Sequence, residues 1–151
     1  MAVTLVVGFD RRPESMAAVF AASDLAESVG GELRIVHAVD LRDYPVDPES
    51  PDWEEKASRV LEHERRAIEE VMAGREILWS YHVHRVDAYS ALVAEAKQGH
   101  ASMIVVGSRG GGVSAKLRRM MFGSVSHRLI SHGGYPVLVV GPGPGASPNR
   151  L

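Results

Sequence analysis

The chain has 151 residues, of which 45% are hydrophobic and 24% are charged, so we expect one compact domain with a buried core. It contains no cysteine, which excludes disulfide scaffolds, thiolate metal sites and cysteine nucleophiles. A formal net charge of −2, no apolar run near the roughly 18 residues of a membrane span, and no signal-like N-terminus predict a cytoplasmic protein with no nucleic-acid or membrane partner.

Short apolar strands alternate with longer amphipathic helices along the sequence. In chain order we predict strands at 3–9, 32–39, 77–83, 101–106 and 137–140, and helices at 13–29, 53–73, 88–97 and 123–131. Pro13 suits a first helical turn, and Gly30 and Gly74 end the first two helices. Residues 40–52 contain three prolines and read as a loop long enough to form a lid.

This alternation predicts an α/β fold, a doubly wound, five-stranded, mostly parallel sheet with helices on both faces. Ligands of such sheets bind beyond the carboxyl ends of the strands, where the strand order reverses. The residues just after the first, second and fourth strands are therefore the places to search.

Charge is distributed unevenly along the chain. All 19 acidic residues lie within residues 1–95, whereas residues 96–151 contain seven Lys or Arg and no Asp or Glu. A C-terminal third without carboxylates can accept an anion without local repulsion. The alternative is that the two halves simply neutralise each other across the fold.

The segment 105–126 carries the strongest chemical signal, since a strand, a glycine loop, a basic loop and a helix start follow one another. Glycines allow backbone N–H groups to approach a phosphate, and a helix N-terminus adds the positive end of its dipole. A Walker A loop is excluded because Ala115 precedes Lys116 and Leu117 follows it. A dinucleotide-binding loop does not fit, since the glycines follow the fourth strand and no acid lies downstream. A merely flexible turn is the remaining alternative.

Together these features resemble the universal stress protein family, whose nucleotide-binding members carry a Gly-x-x-Gly segment, nine residues, then Gly and Ser or Thr. Gly107-Ser108-Arg109-Gly110 and Gly123-Ser124-Val125-Ser126 match its two ends, but the interval between them is twelve residues, so the loop is enlarged. The resemblance spans nearly the whole chain, because 7–10, 36–40 and 135–140 are similar to the family's first, second and last strand ends. It implies a Rossmann-like fold of the adenine nucleotide alpha hydrolase type.

The resemblance also implies an ATP site. The side chain of Asp10 and the backbone of Ala38, Val106 and Gly107 would then surround the nucleoside end. The ribose and phosphates would be surrounded by Arg109, Gly110, Gly123, Ser124 and Val125. This chain departs from the family pattern at Arg11-Arg12, where Gly-Ser is common, and at Arg85-Val86-Asp87, where Gly-x-Pro is common. The two arginines could grip phosphate or block entry.

Several single residues have competing interpretations. Asp10 could cap the first helix instead of binding a ligand. His82 and His84 share one face of a strand and could chelate a metal, but an edge or solvated strand explains them more simply, and we assign no metal ligands. His37 is more consistent with a packed strand residue than with a catalytic base. Asp10, Asp40 and Asp87 lie at strand ends and could hold magnesium on a bound nucleotide.

The sequence therefore predicts a family member, residues 1–141, that binds ATP and acts as a nucleotide-dependent stress-response or signalling module, followed by a flexible tail at 142–151. We identify no catalytic residue and expect at most weak ATP hydrolysis. The alternatives are a dimeric interaction protein without nucleotide and a slow ATPase. An apolar strand at a sheet edge predicts a homodimer through Val137, Leu138, Val139 and Val140. Fourteen Arg against three Lys are typical of a bacterial protein with a GC-rich genome.

Overall fold

A computed structural model describes residues 2–10, 12–39, 47–108 and 125–141. Its centre is a five-stranded sheet in the order β3-β2-β1-β4-β5, in which every neighbouring pair is parallel. The strands are β1 (Thr4–Phe9), β2 (Glu32–Ala38), β3 (Leu78–His84), β4 (Met103–Gly107) and β5 (Val137–Val140). The predicted parallel α/β fold is confirmed.

In the described part of the chain, four helices connect these strands. They are α1 (Pro13–Val29), α2 (Trp53–Met72), α3 (Ala88–Gln98) and α4 (Val125–His132). All nine predicted elements are present, and their ends differ from the prediction by at most two residues. Such shifts are ordinary, because helix and strand ends fray and carry the weakest sequence signal.

Each face of the sheet carries its own hydrophobic core. Leu5, Val7 and Ile35 point to the face covered by α1 and α2, and Val6 and Ile104 point to the face covered by α3 and α4. Because successive strand residues point to opposite faces, a strand buried on both sides needs an unbroken apolar run. This explains why β1 and β4 were recognisable without polar alternation.

Local signals fix the ends of α1. Pro13 occupies its first turn, and Gly30 ends it with a positive φ of 63°, which a glycine adopts without strain. Gly31 then passes so close to the first strand that a Cβ would lie 2.6 Å from the Val3 carbonyl oxygen. The chain can therefore turn directly from α1 into β2.

The strand order reverses between β1 and β4, which places a cleft at their carboxyl ends. α4 leads from β4 into the parallel β5, so it runs antiparallel to the strands and begins at the same edge of the sheet. β5 and β3 form the two outer edges, as expected for β5. No helix in the described part of the chain is both long and apolar enough to cross a membrane.

Candidate functional site

The carboxyl ends of β1 and β4 lie side by side. Val7 pairs with Val105, so Asp10 after β1 and Ser108 after β4 follow neighbouring strands to the same edge. Ala38 ends β2 on the other side of β1, with His37 in register with Phe9. The topology thus brings together the predicted residues Asp10, Ala38, Val106 and Gly107. Val125 opens α4 at this edge.

The remaining predicted site residues are Arg109, Gly110, Gly123 and Ser124, which lie outside the described residues, together with the enlarged loop between them. Arg11, the greater part of the predicted lid and the predicted tail also lie outside them. The site can therefore be built from its β1, β2 and β4 walls and from the start of α4.

A network around Ser15 holds the turn between β1 and α1. The backbone N–H of Asp10 donates to Ser15 Oγ at 3.0 Å. The same hydroxyl lies 2.6 Å from the Asp10 carbonyl oxygen and 3.0 Å from that of Arg12, and its single proton can serve either. Ser15 is buried, so water does not compete for these bonds. The backbone next to Asp10 is held in place before any ligand arrives.

One of the two oxygens of the Asp10 carboxylate has a hydrogen-bond partner among the described residues. Its Oδ1 accepts the backbone N–H of Arg12 at 2.8 Å, while Oδ2 has no partner among the described residues. The residue at the N-cap of α1 is Arg12, whose side chain makes no capping bond. Asp10 therefore shapes the turn that precedes the helix without capping it, and one carboxylate oxygen remains for a ligand.

Gly107 is required where β4 meets the first turn of α1. A Cβ at this position would lie 2.4 Å from the Glu14 carbonyl oxygen and 3.0 Å from the Ser15 nitrogen, both backbone atoms. Only glycine allows this approach without moving the helix. The next residue, Ser108, donates its N–H to the Val140 carbonyl oxygen at 2.8 Å, but its buried hydroxyl has no partner among the described residues. Buried hydroxyls are nearly always satisfied, so we expect Ser108 to be paired by a group outside the described residues.

A buried polar cluster lies beneath the end of β2. His37 Nδ1 is 2.8 Å from the Tyr81 hydroxyl of β3 and 3.3 Å from Glu64 Oε2 of α2, and the Phe9 ring packs edge-on against the imidazole. His37 and Glu64 are both 5% exposed. The expectation that His37 is a packed strand residue is confirmed, but its partners were not foreseen. No local signal links residues 37, 64 and 81, which only the β2–β3 register and the docking of α2 bring together.

The histidine pair on β3, His82 and His84, contacts the carboxylate of Glu95 on α3. Oxygens of this carboxylate lie 3.5 Å from His82 Nε2 and 2.8 Å from His84 Nε2. Arg34 of β2 donates to the same carboxylate from Nε at 2.7 Å and also from Nη2. Within the described ranges, no group of three or more His, Asp or Glu side chains could hold a metal ion. This cluster ties β2, β3 and α3 together at an edge of the sheet.

Asp87 is occupied as well. It caps α3, where its Oδ1 accepts the Ser90 backbone N–H at 3.0 Å and its Oδ2 accepts the Ser90 hydroxyl at 2.7 Å. These bonds to Ser90 lower the pKa of Asp87. The interpretation of Asp87 as a magnesium ligand is therefore not favoured. Asp40, the other acid considered for this role, lies outside the described residues.

The sequence profile of the "Universal stress protein family" matches residues 1–141. The chain belongs to the universal stress protein family. The family assigned by resemblance is confirmed.

Two curated proteins are similar in sequence to this universal stress protein. The chain is 25% identical to the "Stress response protein NhaX" of Bacillus subtilis, over 90% of this chain and 96% of the relative. It is 34% identical to a "Universal stress protein" of Mycolicibacterium smegmatis, over 91% of this chain and 45% of the relative. The chain thus spans nearly all of one relative and about half the length of the other.

Solved structures share the fold. A universal stress protein solved in complex with cAMP has a TM-score of 0.66 at 23% identity, covering 93% of this chain and 98% of that one. A family protein of Arabidopsis thaliana with AMP bound has a TM-score of 0.67 at 14% identity, covering 98% of this chain and 97% of that one. At these identities the comparison establishes the fold of this universal stress protein, and the bound ligands belong to those relatives.

Proposed function

We propose that this universal stress protein binds an adenine nucleotide, ATP foremost, at the carboxyl ends of β1 and β4, and that occupancy of the site acts as a stress-response signal. The observation that carries the proposal is the unpaired Asp10 Oδ2, among the described residues, at the edge where the strand order reverses and where Gly107 packs on the first turn of α1. A carboxylate accepts hydrogen bonds from ribose hydroxyls or amino groups. Two family structures contain cAMP and AMP, which supports the same ligand class.

Each part of the proposed site has a role. Asp10 and the backbone at Ala38, Val106 and Gly107 would contact the nucleoside. Arg109, Gly110, Gly123, Ser124 and Val125 would contact ribose and phosphates, with the start of α4 supplying backbone N–H groups and the positive end of its dipole.

The site supports binding better than turnover. A phosphoryl-transfer site positions a water or hydroxyl with a catalytic group and neutralises the developing charge. One carboxylate oxygen of Asp10 already accepts the Arg12 N–H, and His37 is buried against Tyr81 and Glu64. We therefore propose a nucleotide-binding module with at most weak hydrolysis.

Isothermal titration of nucleotide-free protein with ATP tests this function. We expect saturable heat, and about a tenfold lower affinity for D10N, because an amide keeps the turn but weakens the bond to a ligand hydroxyl. D47N is the matched control, since Asp47 is exposed and, among the described residues, its carboxylate accepts only the nearby Glu49 N–H, at 2.9 Å. No heat with ATP, ADP or cAMP, together with no nucleotide released from the denatured purified protein, would contradict the proposal.

We also propose that the protein forms a homodimer through β5. This strand pairs with β4 on one side and forms an outer edge of the sheet, and the side chain of Leu138 is 37% exposed. An apolar edge strand is a template for pairing with a second copy. We expect L138K to shift the mass measured by light scattering from dimer to monomer. V83K, on the opposite edge strand β3, is the control and should leave a dimer. A monomeric wild-type protein at high concentration would refute this assembly.

A further inference from the structure

A pocket of about 570 Å³ opens between α1 and α2, on the face of the sheet away from α3 and α4. Its apolar walls are formed by Phe9 of β1, Pro13 and Met16 of α1, and Val60 and Ala67 of α2. Small-molecule sites in proteins are concave, mostly apolar and about 300–1,000 Å³ in volume, with a few polar groups that orient the ligand. The pocket has this size and composition.

The polar groups that line the pocket are one acid and three basic side chains. The acid, Glu64, is 5% exposed, both of its carboxylate oxygens are buried, and one lies 3.3 Å from His37 Nδ1. It therefore presents no accessible oxygen to a ligand. Arg12 and Arg59 are exposed, so the accessible charge at the rim is positive.

Arg12 is the basic group best placed for an anion. None of the described residues pairs with its guanidinium, whereas Arg59 is engaged by Glu55 one helical turn away. Arg12 is also the N-cap residue of α1 and makes no side-chain capping bond, so it stands at the positive end of the helix dipole. An apolar cavity whose rim carries a cation that no described residue pairs complements a molecule with an apolar body and one anionic end.

We propose that the pocket between α1 and α2 binds a free apolar monocarboxylate, such as a medium-chain fatty acid, with the chain among Phe9, Met16 and Ala67 and the carboxylate at Arg12. This site is separate from the nucleotide site proposed above, which lies at the strand ends around Gly107. The two sites share the turn that joins Phe9 to Arg12, which Asp10 and Ser15 hold. Occupancy of the pocket can therefore influence Asp10 through that turn.

Titration of the intact protein with decanoate below its micelle concentration tests the proposal. We expect one saturable site per chain, an affinity about tenfold higher for decanoate than for octanoate, and weaker binding of the uncharged decanol. R12Q should lower decanoate affinity about tenfold and leave decanol affinity unchanged. R66Q is the matched control, because Arg66 is exposed on α2, contacts Glu62 and does not line the pocket. It should bind as the wild type does.

A variant that fills the pocket and a measurement on the wild type provide a second test, and the measurement on the wild type does not depend on whether the variant folds. A67F should abolish binding where circular dichroism shows a folded protein. In the wild type, the ¹³C-methyl resonance of Met16, assigned with M16L, should shift when decanoate is added. The same resonance should not shift when decanol is added at concentrations too low for decanol to bind. Absence of saturable decanoate binding, an unmoved Met16 methyl at saturation, or equal affinities for wild type and R12Q would overturn the proposal. Capture by phosphatidylglycerol vesicles without binding of free decanoate would overturn it too, in favour of a membrane surface.

The titrations also separate the two proposals. Decanoate binding without ATP binding would remove the nucleotide function and leave the pocket, and ATP binding without decanoate binding would do the reverse.

Discussion

Arg34 of β2 donates a hydrogen bond from Nε to the carboxylate of Glu95 on α3, at 2.7 Å, across the layer between helix and sheet. The side chains of Glu95 and Arg34 are 1% and 16% exposed. Charged groups so deeply placed are tolerated only when paired, and His84 supplies a further contact to Glu95 at 2.8 Å. Burial raises the pKa of Glu95, but hydrogen bonds from Arg34 and His84 outweigh it and leave the pKa below its ordinary value.

Loss of the Glu95 charge is expected to destabilise the fold. Among the described residues, E95Q leaves Arg34 with only Glu32 as a counter-charge, at 3.9 Å. Removal of one partner of a buried ion pair costs about 3 kcal/mol. Urea unfolding followed by circular dichroism should show this loss. E70Q, at an exposed position on α2, should change stability by less than about 0.5 kcal/mol. Equal stabilities for the two variants would contradict a structural role for this cluster.

Stability is expected to fall when the solution is acidified from pH 7 to pH 5, in part because of His82. Burial lowers the pKa of His82, Glu95 raises it, and Arg34 and His84 lower it further, with a net shift downward. A histidine whose pKa is lower in the folded state takes up its proton more readily when unfolded. The contribution of His82 to folding stability is therefore retained above its unfolded-state pKa of about 6.5 and is lost as the pH falls through its folded-state pKa.

The slope of unfolding free energy against pH measures this contribution. H82Q should flatten the slope between pH 7 and 5. The loss from Glu95 has the same sign but begins lower, below about pH 4.3. A slope in H82Q identical to that of the wild type would show that His82 does not couple folding to protons.

The sheet and helices were predictable because their signals are local. Uninterrupted apolar runs mark strands buried on both faces, and Pro13 and Gly30 mark the ends of α1. The Arg34–Glu95 pair was not predictable, since it joins residues 61 apart that meet only when α3 docks on β2. For the same reason, the sequence did not reveal that His82 and His84 contact a carboxylate that an arginine also holds.

The candidate site was predictable in position but not in detail. Strand alternation placed Asp10 and Gly107 at the carboxyl edge, which the topology confirms. The hydrogen bond from the Arg12 N–H to Asp10 Oδ1 depends on the path of one turn. Turns carry little sequence signal beyond Gly, Pro, Asn and Asp. The pocket between α1 and α2 depends on how far apart two helices pack, which no local pattern encodes.

Gly107 is expected to tolerate no side chain. In G107A the new Cβ would meet the Glu14 carbonyl oxygen at 2.4 Å, so the first turn of α1 must move. Overpacking of this kind costs about 1–3 kcal/mol, and the displaced Asp10–Ser15 turn should weaken ATP binding in the same variant. Urea unfolding and isothermal titration measure the two effects. G141A is the control, because its Cβ would meet nothing within 4 Å. Wild-type stability in G107A would show that β4 and α1 do not press together at this point.

Asp87 is expected to stabilise α3 as its cap, independently of any ligand. D87A removes the acceptor for the Ser90 N–H and should cost about 1 kcal/mol in urea unfolding at pH 7, whereas D87N keeps an acceptor oxygen and should cost less. The bonds from Ser90 lower the pKa of Asp87, so its charge-dependent contribution is retained above about pH 3.9 and lost as the pH falls through the folded value. The stability difference between wild type and D87A should therefore shrink in acid. If D87A unfolded like the wild type at pH 7 but weakened magnesium-dependent ATP binding, Asp87 would be a ligand residue and not a cap.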